Sequence, residues 1–157
     1  MPDAFAHGAH PGILRPPLVY AVSILTGVLL DIAWPRSFCP PALGRPIGTA
    51  LALLAAVLFV AAIRQLREAG TPVPGNRPTT ALVRTGPYRF TRNPIYLALS
   101  LLHLGVAAWV GSWWLLVTLV VSFTLVAAVV VPREERYLEK RFGPTYLEYR
   151  ASVRRWL

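Results

Sequence analysis

Two short stretches of this chain hold most of its capacity for chemistry. Tyr88, Arg89, Arg92, Asn93 and Tyr96 lie close together ahead of a long apolar run, and Glu134, Glu135, Arg136 and Tyr137 follow directly after it. Fixed cations, an amide, phenols and paired carboxylates are the groups that a site for a charged, polar ligand needs beside a membrane, because buried polar atoms without partners are costly. Taken singly, each has a plainer reading. Arg84, Arg89 and Arg92 suit basic anchors at a membrane face, and two glutamates at a helix start suit the positive end of the helix dipole. Only together, with Arg92-Asn93-Pro94 set at the first turn of a helix, do they read as a site.

The elements that must position these groups are membrane spans. The chain has 157 residues, is 55% hydrophobic and has a mean hydropathy of +0.50, with its apolar residues in blocks rather than in the alternation of a soluble domain. Its net charge of +9 is concentrated: of sixteen Lys and Arg, six lie between Arg64 and Arg92 and seven between Arg133 and Arg155. Both clusters flank apolar spans and carry no nucleic-acid-reading motif, so the partners expected are membrane lipids and not nucleic acid. A lone cysteine, Cys39, excludes an intrachain disulfide and the usual Cys-based zinc spacings, and no metal is expected.

The pattern predicts an all-α, polytopic membrane protein forming a single domain over 1–157, with about four transmembrane helices. A tail over 1–16 lacks the features of a secretory signal. Spans follow at 17–34, 47–63, 95–110 and 112–131, with polar site segments at 64–94 and 132–157. Asp31 reads as an interfacial carboxylate beside Trp34. The segment 69–87 is rich in proline and glycine and reads as a shaped polar loop. Ile95 to Val131 is a run of 37 residues without Asp, Glu, Lys or Arg. It suits a tight helical hairpin reversing at Gly111-Ser112, with Trp109, Trp113 and Trp114 at the interface. Such a hairpin returns the chain to the face it left and brings Arg92 near Glu134 and Glu135. The positive-inside rule puts both basic clusters and both termini in the cytoplasm. The C-terminal stretch is helical in character, broken at Gly143-Pro144, with Tyr137, Leu138 and Phe142 at helical spacing.

"GPYRFTRNPIYLALSLLHLG", followed after the hairpin by "EERYLEKRFGPTYLEYRASVRRWL", resembles the isoprenylcysteine carboxyl methyltransferase family of integral membrane methyltransferases and the related phospholipid methyltransferases. The resemblance covers residues 64–157. It implies S-adenosylmethionine as cofactor, bound on the cytosolic side, and a lipophilic or lipid-linked methyl acceptor. By position, Tyr88, Asn93, Pro94, Tyr96, Glu134 and Glu135 take cofactor-binding roles, and Arg92 and Glu135 catalytic ones. The family often has histidine where this chain has Asn93, and asparagine cannot titrate near neutral pH. His103, inside the span, reads as a packed histidine rather than its replacement.

An ionised carboxylate acceptor needs only orientation, which Arg92 would supply. An amine acceptor needs a base, for which Glu134 or Glu135 is placed. The resemblance favours O-methylation of an isoprenylcysteine-like carboxylate, with phospholipid amine N-methylation as the alternative. A nicotinamide-dependent sterol reductase-like enzyme and a non-enzymatic scaffold binding anionic lipid are the remaining readings. No G-x-G-x-x-G stretch is present.

Overall fold

The structure, a computed structural model, describes residues 15–72 and 79–157. Most of the N-terminal tail and residues 73–78 of the polar loop lie outside the described residues. In chain order the elements are α1 (Pro16–Ala33), α2 (Pro41–Glu68), a 3-10 turn (Gly86–Arg89), α3 (Pro94–Val110), α4 (Trp113–Leu125), a π-helical turn (Val126–Val130), α5 (Val131–Phe142) and α6 (Pro144–Ser152). The expected all-α, polytopic architecture is what forms: no strand occurs among the described residues, only an isolated bridge between Ser37 and Ser112.

Helix α1, at 18 residues and about 27 Å, matches the hydrocarbon thickness of a bilayer. Helix α2 begins at Pro41 rather than near Ile47, so the second span is longer than its apolar run implies. Proline at the first helical position gives up an N–H that has no partner there. The helix then absorbs Pro46 inside its early turns and continues to Glu68, for 28 residues. Helices α4 and α5 and the π-turn between them run as one rod from Trp113 to Phe142, whose apolar part ends at Val131. Helix α3, an apolar helix of 17 residues, is antiparallel to this rod.

The packing is that of a bundle solvated by lipid. Large side chains such as Leu25, Leu29, Leu53, Val57, Val60, Val120 and Val121 face outward, while small ones line the contacts. Between α2 and α3, the most extensive pair, a Cβ on Gly48 would lie 2.5 Å from the Gly105 carbonyl oxygen and 2.6 Å from the Trp109 nitrogen. One on Gly44 would collide with the Ala108 carbonyl. Backbones can approach this closely only where side chains are absent, and in lipid that close contact drives association. Gly27 of α1 does the same against Leu115 and Thr118 of α4.

The hairpin reverses where the sequence places it. Gly111 adopts φ 77°, the left-handed conformation that ends α3, and its N–H donates to Ala107 O at 2.8 Å. The α1–α2 connector is stitched to this turn: Phe38 N–H donates to Gly111 O at 2.8 Å, Trp113 N–H to Arg36 O at 3.0 Å, and Trp114 Nε1–H to Trp34 O at 2.7 Å. Asp31 differs from its reading as a carboxylate solvated by water and headgroups. It is half-buried and accepts a 2.6 Å hydrogen bond from Ser112 Oγ, tying α1 to the hairpin.

The α2–α3 contact gives a direct test. Gly48→Leu forces side-chain atoms into the backbone of α3, a cost of about 3 kcal/mol at the upper end of the usual overpacking range, so its unfolding temperature in detergent should fall sharply. Leu53→Ala, on the outward face of the same helix, should leave it nearly unchanged.

Candidate functional site

The start of α1, the end of α2, the start of α3 and α5 all meet at one end of the bundle, together with the 3-10 turn and the C-terminal segment. Beneath them lies the main hydrophobic cluster, including Tyr20, Leu66, Val83, Tyr88, Ile95, Tyr96, Val126 and Val131. This apolar floor holds rigid the polar groups that stand on it.

The helix of the two glutamates is deformed just before it reaches them. Pro132 has no N–H to give to Ala128, and its ring presses on that carbonyl, so the preceding turn widens into the π-turn Val126–Val130. One extra residue in a turn rotates all that follows by about 100° relative to an unbroken helix. Glu134 and Glu135, successive on α5, then diverge. Tyr96 Oη donates to Glu134 Oε1 at 2.5 Å. Glu135, 8% exposed, instead meets two guanidinium groups: Arg92 Nη1 at 3.0 Å from Oε1, and Arg155 with Nε 3.0 Å from Oε1 and Nη2 2.6 Å from Oε2. The second is the bidentate fork of an arginine–carboxylate pair.

The segment Thr91-Arg92-Asn93 is held from the C-terminal side. Arg92 N–H donates to Arg154 O at 3.0 Å, Thr91 Oγ to Arg155 O at 3.1 Å and Asn93 Nδ2 to Arg155 O at 2.8 Å. Pro94 then opens α3, as proline at a first helical position should. Helix α6 contributes two buried tyrosines. Tyr149 Oη donates to Tyr88 O at 2.7 Å, and Tyr146 Oη accepts from Arg92 Nη1 at 3.4 Å. Arg84 donates to Thr145 O and lies over the Tyr149 ring, and Tyr137 Oη accepts from Thr79 N–H at 3.2 Å, so both fasten loop to tail.

Two cavities share a wall of Tyr88, Arg92, Asn93 and Glu134. One opens beside Pro16, Pro17, Pro94, Ile95 and Tyr96, where α1 meets α3. The larger, about 570 Å³ including solvent at its mouth, is bounded by Leu66, Val83, Leu138, Tyr146, Tyr149 and Glu135. All seven residues singled out in the sequence, Tyr88, Arg92, Asn93, Pro94, Tyr96, Glu134 and Glu135, line one or both. Tyr88 Oη and Arg92 Nε are buried and have no hydrogen-bond partner among the described residues. His103 lies elsewhere, buried in the bundle with Nε2 3.4 Å from Thr118 Oγ. Arg155, Tyr146 and Tyr149 complete the site without having been singled out; the repeated tyrosines of "TYLEYR" and the paired arginines of "VRRW" were the only signals.

Burial pushes the Glu134 carboxyl up to about 7; the Tyr96 hydrogen bond opposes this and the charge of Glu135 adds to it. Burial likewise pushes Tyr149 up to about 12 and raises Tyr88. A carboxyl with a raised pKa favours the folded state below its unfolded pKa, and that advantage is lost as pH rises through the folded value. The unfolding temperature of Glu134→Gln relative to the wild type should therefore climb between about pH 5 and about pH 8; a flat difference would contradict the raised pKa.

A profile of the phospholipid methyltransferase family matches residues 44–145, from α2 to the first turn of α6. An uncharacterised protein of Haemophilus influenzae is 35% identical over 63 residues, which are 40% of this chain and the whole of that protein. No solved structure matches. The matched span holds both halves of the pair Arg92–Glu135 and the contact Tyr96–Glu134, and on that match the chain belongs to the phospholipid methyltransferase family, itself part of the isoprenylcysteine carboxyl methyltransferase-like group of membrane methyltransferases.

Proposed function

We propose that the protein transfers a methyl group from S-adenosylmethionine to the amine of a lipid or lipid-linked acceptor. The observation that carries the choice of an amine is the charge of the shared wall. Arg92 is already paired with Glu135, whereas among the described residues no Lys or Arg nitrogen lies within ion-pair distance of Glu134. An incoming carboxylate would meet the Glu134 carboxyl at that wall, with the Arg92 guanidinium already engaged by Glu135. An ammonium or amine would meet a base. The carboxylate acceptor favoured by the sequence alone is therefore the second choice.

The donor set suits the cofactor. Tyr88 Oη and Arg92 Nε are donors without a partner among the described residues, the Glu134 carboxyl is an acceptor for hydroxyl or amino groups, and Tyr146 and Tyr149 are aromatic walls. Bound there, S-adenosylmethionine supplies an electrophilic sulfonium methyl that needs no further activation. The protein's own work is alignment, exclusion of water and management of one proton. Glu134, with a pKa near neutrality, takes the proton that the acceptor amine must lose, and Tyr96 Oη holds its carboxylate in place. The cavity between α1 and α3 suits the acceptor, since an acyl chain can remain in the bilayer while its polar end reaches Glu134. The basic clusters support a cytosolic placement of this end.

The test is incubation of the purified protein in phosphatidylethanolamine-containing vesicles with methyl-labelled S-adenosylmethionine. Label should appear on the headgroup amine, and Glu134→Gln should lower the rate by about 10²- to 10⁴-fold. Label on an isoprenylcysteine carboxylate in parallel vesicles, and none on the amine, would reverse the choice of acceptor. Absence of cofactor binding by the well-folded wild type would defeat the whole reading.

A further inference from the structure

We infer that Arg155 is a positioning residue, and that the segment Val153–Trp156 is a strap holding the two halves of the site in register. This rests on the function proposed above, and it concerns residues beyond the 44–145 match to the family. Helix α6 ends at Ser152, and the chain then runs extended, with Val153 at φ −126° and ψ 133°. From there it makes contacts of two kinds with the site. Its backbone carbonyls at Arg154 and Arg155 receive the Arg92 N–H, Thr91 Oγ and Asn93 Nδ2. The side chain of Arg155 reaches the opposite half and grips both carboxylate oxygens of Glu135. A single residue thereby bonds to the segment before α3 through its carbonyl and to α5 through its guanidinium.

Without this residue, Glu135 and Arg92 would still attract each other, but nothing would fix their separation or the rotation of the carboxylate. Arg92 Nη1 binds Oε1 alone, at 3.0 Å. The two bonds from Arg155 fix the carboxylate plane and, by repulsion between like charges, keep Arg92 from collapsing fully onto it. That is the setting in which Arg92 Nε is buried with no partner among the described residues and Arg92 Nη1 still reaches Tyr146. Trp156 secures the strap from below, with its ring 4.8 Å from Phe123 of α4. The side chain of Arg155 is 40% exposed and that of Glu135 10%, so Arg155 lies on the solvent side of the pair. Lysine carries the same charge but lacks the planar fork, so it can restore attraction and not orientation.

Hydrogen exchange and cofactor kinetics on the purified full-length protein test this together. Arg155→Ala and Asn93→Ala should each speed amide exchange at Thr91–Asn93 and leave that of mid-α3 unchanged, a readout that needs no cofactor. In methyl transfer, Arg155→Ala should raise KM for S-adenosylmethionine by about tenfold or more, with kcat changed much less, and Arg155→Lys should recover only part of the loss. Should Arg155→Ala fold poorly, Arg155→Lys carries the same two measurements with smaller effects. Unchanged exchange at Thr91–Asn93 in both alanine variants would overturn the strap. Altered exchange with KM within about twofold of wild type would overturn the positioning role. If the wild type neither binds nor uses the cofactor, the exchange result still decides the strap, and the failure belongs to the proposed function instead.

Discussion

The site depends on one buried carboxylate. Glu135 sits where α5, the start of α3 and the C-terminal segment converge, and both of its oxygens are taken by guanidinium groups. Moving such a charge out of water costs several kcal/mol, and only close, well-oriented partners return it. Two N–H donors of Arg155 and the Arg92 guanidinium at ion-pair distance do so here. Removal of one partner leaves the other charges buried and uncompensated, typically a loss of about 3–5 kcal/mol. The pairing therefore determines more than its own geometry. It sets where the Thr91–Asn93 segment sits relative to α5, and hence the position of Tyr96 opposite Glu134 on the adjoining face.

That convergence requires the bundle to be built in a particular way. Glycines at 44, 48 and 105 let α2 and α3 touch backbone to backbone, and the left-handed Gly111 turns α3 into α4 without a loop to spare. The start of α3 is thus rigidly placed relative to the far end of the rod. The π-turn before Pro132 sets the rotation of α5, on which consecutive glutamates, about 100° apart as on any α-helix, address different neighbours. One is paired with two arginines; the other, with no cation in reach among the described residues, is pushed toward neutrality by burial against the pull of the Tyr96 hydrogen bond. Two carboxylates made different by environment alone are a common means of dividing structural and proton-transfer duties.

Much of this was legible in the sequence. The spans, the hairpin at Gly111-Ser112, the break at Gly143-Pro144 and the meeting of Arg92 with the glutamates follow from apolar length, glycine and proline placement, and chain direction. What escaped has physical reasons. Pro46 hid the true start of α2, because proline usually marks a helix boundary and here lies inside one. Asp31 looked like a solvated interfacial acid because its partner, Ser112, is distant in sequence and common in type. Arg155 was invisible for the same reason as most tertiary ion pairs: among sixteen basic residues, nothing local separates the one that reaches a buried carboxylate from those that face lipid headgroups. Arg84, read as a plain anchor, proves to fasten the loop to α6.

Asn93 shows how far a resemblance of sequence can be carried. Where related proteins often have histidine, a titrating role comes to mind, and asparagine looks like a loss. The geometry gives the position a different role, in which its side-chain amide donates to Arg155 O while its own N–H is held by Thr91 Oγ at 3.2 Å. A donor of the right reach is all this role demands, and both amide and imidazole provide one. In the function proposed above, proton transfer falls to Glu134, whose carboxyl burial raises to about 7. The exchange of histidine for asparagine is thus compatible with an intact site, because what is required at position 93 is a hydrogen bond to the C-terminal strap rather than a mobile proton.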